Sequence, residues 1–315
     1  MKLSKKVKKT KMNILIRADS SSYIGIGHIM RDLVLAKQYQ NENIIFAVRE
    51  LDGNINYKIE EEGYSKVVLQ SNELEELDKI IKDLNIDIIV IDHYEINYNF
   101  EKKLKESNSN LRIFVLDDTY EKHFCDILLN HNINADEKRY KYLVPNNCEL
   151  RCGSKHTLIR EEFILEKEKP KSINRKFTIF VAMGGSDSSN LNLKILNILS
   201  RYSGNIFVNI VTTRANKNLT ELIKYCSDKS WIILDIDLNK IAKIIHRSDL
   251  AIVTPSVILN EVYFMEVPFI AIKVADNQDD MYKFLKNKNY NVMEYFSIPK
   301  LIKILNRILG ATNEF

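Results

Sequence analysis

One short segment near the start of the chain constrains the fold more than any other. An apolar run, Asn13–Arg17, leads into a polar, glycine-rich turn that ends at His28. Apolar residues at helical spacing follow from Ile29, and they predict a helix from His28 to about Tyr39. A buried strand that turns directly into a helix is typical of an α/β domain with a parallel sheet. In such domains ligands bind beyond the carboxyl ends of the strands.

The turn itself carries the first candidate site. Gly25 and Gly27 allow the backbone to approach a ligand closely. His28 begins the helix, where N–H groups and the helix dipole favour an anion, and a histidine there is a candidate general base. Two other interpretations stay open. The turn resembles a dinucleotide-binding motif, although Met30 stands where that motif needs a small residue, and the histidine could simply cap the helix. The serine-rich stretch before the glycines favours a site.

Strand-like and helix-like segments alternate along the whole chain, which predicts an α/β fold with parallel sheets. The predicted strands after the first are Ile44–Val48, Lys66–Leu69, Asp87–Ile91, Arg112–Leu116, Ile127–Leu129, Phe177–Ala182, Ile206–Thr212, Trp231–Leu234, Leu250–Val253 and Phe269–Lys273. The predicted helices after the first are Glu73–Leu84, Tyr98–Lys105, Leu191–Leu199 and Ile298–Leu309.

A charged segment without apolar periodicity, Glu166–Lys176, interrupts this alternation and predicts a linker. We therefore expect two Rossmann-like domains, at residues 12–165 and 177–297, that face a cleft. A cleft between domains is a preferred place for a small-molecule site. We expect the amphipathic C-terminal segment, residues 298–315, to pack back on the first domain.

Composition narrows the class of protein. The 315 residues are 45% hydrophobic and 28% charged, and the net charge of +4 comes from interspersed acids and bases without a basic stripe. This balance does not indicate nucleic-acid binding. No apolar run reaches the roughly 18 residues of a membrane span, and no apolar signal core follows the basic start of the chain. Four cysteines without a metal or disulfide spacing fit reduced thiols in a cytoplasmic protein, and the absence of heptads favours a monomer.

A second glycine turn lies between the predicted strand Phe177–Ala182 and the helix that begins at Leu191. Its residues, Met183–Asn190, include Gly184 and Gly185 and then several small polar residues. We expect the helix to be capped by one of Ser188, Ser189 and Asn190. The turn is a second anion cradle, for which a diphosphate is the natural guest. A simple strand-to-helix turn is the alternative.

Two further polar groups follow strands in the second half of the chain. Ser256 opens a predicted helix, and Glu261, later in that helix, could accept two hydrogen bonds from a ribose diol. A solvated surface glutamate is the alternative. Asn277 and Gln278 follow the next strand and could bond sugar hydroxyls or amides.

Two predicted strands of the first half also end in polar residues. Asp92, His93 and Tyr94 end one of them, at the same sheet edge as His28. Asp117 and Asp118 end the next strand. Paired carboxylates can bind a metal or act as an acid and a base, but we favour helix capping here.

Taken together, the motifs resemble the UDP-2,4-diacetamido-2,4,6-trideoxy-β-L-altropyranose hydrolases of pseudaminic acid biosynthesis. The resemblance runs from Arg17 to about Tyr290, and its longest part is D-S-S-S-x-I-G-x-G-H-x-x-R-D-L at Asp19–Leu33. Shorter motifs follow in the family's order, at Ile91–Tyr94, Cys125–Asn130, Arg151–Gly153, Leu158–Phe163, Met183–Asp187, Ser256–Glu261 and Asn277–Gln278. The family is similar in fold to inverting glycosyltransferases with two Rossmann-like domains, the GT-B fold.

The resemblance implies that UDP lies on the second domain and that the sugar faces the first. It implies a catalytic role for His28, with Tyr94 and Asn277 close to the sugar. We expect no metal and no cofactor, because backbone N–H groups and helix N-termini in the second domain can stabilise the diphosphate charge. Among the substrate-binding residues that we expect, the resemblance implies Tyr94, Arg160, Asn190, Glu261 and Asn277. The motifs add Asp19, Gly25, Gly27, Gly184, Gly185, Asp187, Ser256 and Gln278.

The implied reaction is hydrolysis of the UDP-sugar by water attack at the anomeric carbon, with C–O cleavage and inversion. His28 would activate the water, since an ordinary histidine pKa of about 6.5 suits a general base at neutral pH. Two other functions stay open. One is an inverting glycosyltransferase of the same fold, and the other is a non-catalytic protein that binds a nucleotide sugar. UDP release without an added acceptor distinguishes the hydrolase from both.

Overall fold

The computed structural model describes residues 11–171, 176–238 and 240–310. The chain divides into two compact units, Met1–Leu158 and Ile159–Phe315. Residues 159–165, which the sequence analysis places in the first domain, group with the second unit. The reason is a helix, α5 (Glu161–Lys167), that packs against another helix of that unit, α8 (Ala242–His246).

The described part of the first unit contains a seven-stranded sheet in which every pair of neighbours is parallel. The strand order is β3-β2-β1-β4-β5-β6-β7. The strands are β1 (Asn13–Ala18), β2 (Asn43–Arg49), β3 (Ser65–Leu69), β4 (Ile88–Asp92), β5 (Arg112–Leu116), β6 (Ile127–Asn130) and β7 (Glu149–Cys152). The α-helices of this unit are α1 (Gly27–Lys37), α2 (Tyr57–Glu61), α3 (Leu74–Asp83) and α4 (Tyr98–Ser107).

The central strands are apolar on both faces, and this allows helices to cover both sides of the sheet and bury it at the centre of the unit. In β1, Ile14 and Ile16 belong to the core on one face, while Leu15 belongs to the core on the other. All five residues of β4 are buried. A strand that is apolar on both faces is typical of a parallel sheet. The strand order reverses at β1, which has β2 on one side and β4 on the other, so the loops after β1 and β4 emerge side by side.

The described part of the second unit contains a six-stranded parallel sheet with the order β10-β9-β8-β11-β12-β13. Its strands are β8 (Phe177–Ala182), β9 (Ile206–Thr212), β10 (Ile232–Ile236), β11 (Leu250–Val253), β12 (Phe269–Ile272) and β13 (Asn291–Met293). Its remaining helices are α6 (Leu191–Leu199), α7 (Leu219–Cys226), α9 (Val257–Phe264), α10 (Asp279–Asn287) and α11 (Ile298–Leu309).

The last helix packs within the second unit. Leu301, Ile304 and Leu305 of α11 lie in the same apolar core as the strands β8 and β9. Its predicted packing on the first domain stays a prediction, and residues 311–315 lie outside the described part of the chain.

Most predicted elements are confirmed to within two or three residues. The prediction missed β7 and β13, which have four and three residues, and the helices α2, α5, α7, α8 and α10. The helix predicted to open at Ser256 is confirmed as α9. The predicted linker is wrong at its start, since Glu166 and Lys167 end α5, while residues 172–175 lie outside the described part. Within the described residues, no helix is long and apolar enough to cross a membrane.

Candidate active site

The candidate catalytic histidine lies at the first turn of α1, beside the end of β4. Its Nδ1 is 2.7 Å from Oδ1 of Asp92, and both side chains are buried. Parallel pairing of β1 with β4 sets Ala18 opposite Asp92, which brings the two loops together. Because the carboxylate only accepts, Nδ1 carries the proton. This tautomer makes Nε2 the nitrogen that can take a proton from a ligand or a water.

Arg31 lies one turn further along α1 and joins two carboxylates. Its Nε donates to Oδ2 of Asp92 at 2.6 Å, and its Nη1 donates to Oδ2 of Asp118 at 3.0 Å. Burial raises the pKa of Asp92, but the Arg31 guanidinium offsets this and holds the pKa well below its usual range. Asp92 is therefore a carboxylate anion at neutral pH, although only 1% of it is exposed.

Tyr94 lies on the open side of the histidine. Its ring meets the His28 ring edge to face, with 5.0 Å between the centroids, and 63% of the residue is exposed. The phenol donates to Oδ1 of Asp118 at 3.0 Å. Burial and the neighbouring Asp118 charge raise the pKa of Tyr94 to about 12, so the hydroxyl keeps its proton. The predicted proximity of Tyr94 to His28 is confirmed within this unit.

The glycine turn before His28 is a tight loop closed by two backbone bonds. The N–H of Ser21 bonds the carbonyl of Gly25, and the N–H of Gly25 bonds the carbonyl of Ser21. Gly25 has φ +86°, a left-handed conformation that favours glycine. A Cβ on Gly27 would meet no atom within 4 Å, so the backbone there faces open space. Both glycines therefore leave room for a ligand beside His28.

Asp19, a predicted substrate contact, lies beneath this loop and is occupied by protein donors. It accepts two bonds from Arg17, two from Arg49 and one from His93, at 2.7 to 3.0 Å. Burial raises the pKa of Asp19, but the bonds from Arg17 and His93 offset this and leave it well below the usual range. With 1% exposure, Asp19 anchors the loop from below and does not reach a ligand through its side chain.

In the second glycine turn, the predicted cap of α6 by Ser188, Ser189 or Asn190 is wrong. The buried carboxylate of Asp187 accepts the N–H groups of Leu191 and Asn192, at 2.7 and 3.0 Å. Asn190 holds the N-cap position with φ +52° and makes no side-chain cap bond. Two N–H groups at this helix start are therefore taken by the protein's own carboxylate. What faces outward is the turn itself, with Gly184 at φ +84°.

Gly185 in the same turn is closely packed against Thr213. A Cβ there would lie 3.1 Å from Oγ1 of Thr213, and that hydroxyl donates to the carbonyl of Gly185 at 3.0 Å. The turn therefore lies close against the loop that follows β9.

Arg160 and Glu261, which the sequence places in separate motifs, are brought together in the second unit. Arg160 Nε donates to Oε1 of Glu261 at 2.8 Å, and Nη1 lies 2.9 Å from Oε1 of Glu162. Glu261 is 7% exposed, and burial raises its pKa although Arg160 lowers it. The alternative of a solvated surface glutamate is wrong. Ser256 is at the N-cap of α9, and its hydroxyl lies 2.9 Å from that of Thr254.

The two amides that follow β12 have different surroundings. The Oε1 of Gln278 accepts the N–H of Val274 at 2.9 Å, and the residue is 9% exposed. Gln278 therefore fixes its own loop. Asn277 is exposed in the same short 3-10 turn, Asp276–Gln278, and is the amide that a ligand can reach.

The paired carboxylates Asp117 and Asp118 have separate tasks. Asp117 accepts the N–H groups of Thr119 and Tyr120 and the hydroxyl of Tyr140, and it thereby fixes the turn after β5. Asp118 contacts Arg31, as described above. Among the described residues, no group of three or more His, Cys, Asp or Glu side chains is arranged to hold a metal ion.

Asp92 was expected at the same sheet edge as His28, but its direct bond to the histidine and the link from Arg31 to Asp92 and Asp118 were not predicted. The signal for Arg31 is its position three residues after His28, which puts both side chains on one face of the helix. The pairing with Asp92 needs the strand order, because 64 residues separate it from His28.

Comparison with known proteins bears on the family and on the fold. No protein-family model matches the chain. It is 39% identical over 281 residues to the UDP-2,4-diacetamido-2,4,6-trideoxy-β-L-altropyranose hydrolase of Campylobacter jejuni, across 89% of this chain and 98% of that protein. It is also similar in structure to Acinetobacter baumannii MurG, with a TM-score of 0.64, 12% identity and coverage of 95% and 91% of the two chains. HepE of Anabaena, solved in complex with UDP, gives a TM-score of 0.64 at 12% identity, with coverage of 96% and 91%. The structural likenesses establish the two-domain GT-B fold.

Proposed function

The chain belongs to the UDP-2,4-diacetamido-2,4,6-trideoxy-β-L-altropyranose hydrolase family, and we propose that it hydrolyses this sugar nucleotide to UDP and the free sugar. The observation that carries the proposal is the His28–Asp92 pair. Its 2.7 Å contact fixes the imidazole in the tautomer that a general base needs. The relative from Campylobacter jejuni, similar over 98% of its length, carries the same activity in its name.

In the proposed reaction, Nε2 of His28 removes a proton from a water while the water oxygen attacks the anomeric carbon. The bond between that carbon and the diphosphate oxygen breaks, and UDP leaves with the electron pair. Attack from the face opposite the leaving group inverts the anomeric centre. The imidazolium that forms is stabilised by the Asp92 carboxylate, which already accepts from Nδ1. The proton then passes to solvent.

We assign recognition of UDP to the loops of the second unit. The turn at Gly184 and Gly185, together with the start of α9 at Ser256, offers backbone N–H groups and a helix N-terminus to the diphosphate. Such donors stabilise the negative charge that grows on the leaving group. Glu261 accepts from the ribose hydroxyls, and Arg160 holds its carboxylate in place.

The remaining predicted residues divide into contacts and supports. In the first unit, we assign the Tyr94 hydroxyl and the backbone at Gly25 and Gly27 to the sugar. In the second unit, we assign the exposed Asn277 amide to hydroxyl or acetamido groups of the substrate. Three buried residues, Asp19, Asp187 and Gln278, act through the loops that they hold. The half-buried Asn190 acts through its backbone at the N-cap position of α6. We further propose that the enzyme works as a monomer in the cytoplasm, where its four free cysteines stay reduced.

The test is UDP release by the purified protein from the proposed substrate, without acceptor and with EDTA present. We expect multiple turnovers, and a loss of about 10²–10⁴-fold in His28→Asn, as for other general bases. His156→Asn is the matched control, because it makes the same change in the short turn Ser154–His156, away from Asp92.

The outcomes separate the three functions. Release that depends on an added acceptor would identify a glycosyltransferase, and UDP binding without turnover would identify a binding protein. Near-normal release by His28→Asn would remove this histidine from the mechanism.

A further inference from the structure

The guanidinium of Arg31 occupies an unusual position for a residue beside a catalytic base. Its Nη2 lies 3.2 Å from Nδ1 of His28, while its Nε bonds the same Asp92 carboxylate that holds the histidine. A positive charge and a negative charge therefore act on the imidazole from the same side. Their balance decides whether the resting histidine carries a proton.

Titratable and charged groups from four elements of the first unit make up and surround the cluster formed by His28, Arg31, Asp92 and Asp118. They are Arg31 and Asp32 on α1, Asp92 at the end of β4 with Tyr94 beyond it, Asp118 after β5, and His131 after β6. Not all of them are charged at neutral pH. Burial raises the pKa of Asp32, as does the nearby Asp92 charge, and burial lowers the pKa of His131 to about 4. Tyr94 also keeps its proton.

Two carboxylates, Asp92 and Asp118, are bonded directly by the Arg31 guanidinium. Without Arg31, neighbouring carboxylates favour the protonated, charged form of an imidazole. A base that already holds a proton at neutral pH cannot take one from water. Arg31 contacts both carboxylates at 2.6 and 3.0 Å, and it is the positive group positioned to offset them.

Building on the proposed function, we propose that Arg31 is a positioning residue that keeps His28 unprotonated between turnovers by neutralising Asp92 and Asp118. It serves a second purpose through the same contacts. Asp118 accepts a hydrogen bond from the Tyr94 hydroxyl. The Arg31 guanidinium therefore holds both Asp92, which contacts the base, and Asp118, which contacts Tyr94. Loss of the positive charge of Arg31 should therefore change the protonation of His28. Loss of the planar guanidinium, with the charge kept, should instead change the positions of Asp92 and Asp118.

The experiment follows the ring signals of His28 by NMR across a pH titration, together with the pH profile of kcat/KM. The His28 signal is assigned by its absence from His28→Asn. In Arg31→Gln we expect the His28 titration and the acid limb of kcat/KM to move upward together, by about one pH unit. In Arg31→Lys, which keeps the charge but cannot bridge both carboxylates, we expect a near-normal His28 titration and a lower kcat/KM at every pH. Arg112→Gln, an exposed arginine at the start of β5, is the control and should change neither.

A folded Arg31→Gln protein whose His28 titration does not move upward would overturn the proposal. Should that variant fail to fold, Arg31→Lys decides alone, because an upward shift despite the retained charge would also overturn it. The titration requires no substrate. Loss of the proposed hydrolase function would appear as absent UDP release by the wild-type protein, while the role of Arg31 would still be read from the His28 signal.

Discussion

The two glycine turns of this molecule are built alike and behave differently. Each follows the first strand of its sheet and leads into a helix, β1 into α1 and β8 into α6. In the first turn, a histidine starts the helix and its partner comes from a neighbouring strand. In the second, Asp187 folds back onto the helix start and takes two of its N–H groups. The two turns share a strand–turn–helix backbone. The side chain at the helix start makes the difference: His28 offers a base to a ligand, whereas Asp187 occupies the helix N–H groups itself.

The largest expected effect is on turnover, and it tests whether His28 in the first turn depends on Asp92. Asp92→Asn should lower kcat for UDP release by about 10²-fold or more, with a small change in KM, because an amide no longer holds the imidazole as a carboxylate does. Asp83→Asn makes the same change at the exposed end of α3 and should leave kcat unchanged. Near-normal turnover by Asp92→Asn would mean that the pair is structural.

The next effect separates the two buried aspartates by acid stability. Asp19 has a pKa below its usual range, so its stabilisation is present above about pH 3.9, the unfolded value, and is lost as the pH falls toward the folded pKa. Burial raises the pKa of Asp187, so protonation relieves the folded state instead. Below about pH 3.9, Asp19 should therefore contribute up to about 1.4 kcal/mol of lost stability per pH unit, and Asp187 none.

Urea unfolding measured from neutral to acid pH checks this difference. Asp19→Asn should destabilise the protein at pH 7 by about 3 kcal/mol, since it leaves buried Arg17 without its carboxylate, and it should flatten the fall of stability in acid. Asp187→Asn serves as the comparison, and its acid slope should be at least as steep as that of the wild type, because the variant lacks the relief that protonation of Asp187 provides. Equal slopes for wild type and Asp19→Asn would contradict the assignment.

The smallest effect compares a glycine from each turn. Gly27→Ala adds a methyl group to open space at a helix start, so stability should stay the same or rise by up to about 1 kcal/mol, while KM rises because the methyl faces the ligand. Gly185→Ala presses on Thr213 at 3.1 Å and should lower stability by about 1 kcal/mol. Thermal unfolding and KM together check both. A stabilised Gly185→Ala would show that the Thr213 side chain gives way.

Apolar runs made most of the strands predictable from the sequence, because a strand covered on both faces leaves a clear pattern of four or more apolar residues. Short elements left no such pattern. β13 has three residues, and α2 and α8 have five each, which is too few to show a period. The unit boundary at Leu158 was also hidden, since it depends on where α5 packs rather than on the composition of the linker.

The candidate site was predictable in its parts and not in its connections. The positions of His28, at the end of a glycine turn, and of Tyr94, at the end of a strand, were enough to predict that both lie at the site. The contact of Arg160 with Glu261 spans 101 residues, so only the folded unit reveals it. The cap by Asp187 depends on its left-handed backbone, φ +36°, which a stretch of small polar residues leaves undetermined. The sequence pattern therefore predicted where the candidate site lies, but only the folded structure shows which side chains contact one another there.

The strand order has a consequence for how the chain acquires activity. Between His28 and Asp92 the chain builds β2, α2, β3 and α3, and it returns to pair β4 with β1 only afterwards. Contacts between residues so far apart in the chain form slowly, because the intervening loop must close before they offer any gain. We therefore expect a refolding sample to regain helical circular dichroism first and the capacity to release UDP later. The interval between the two signals would time the closure of β4 onto β1.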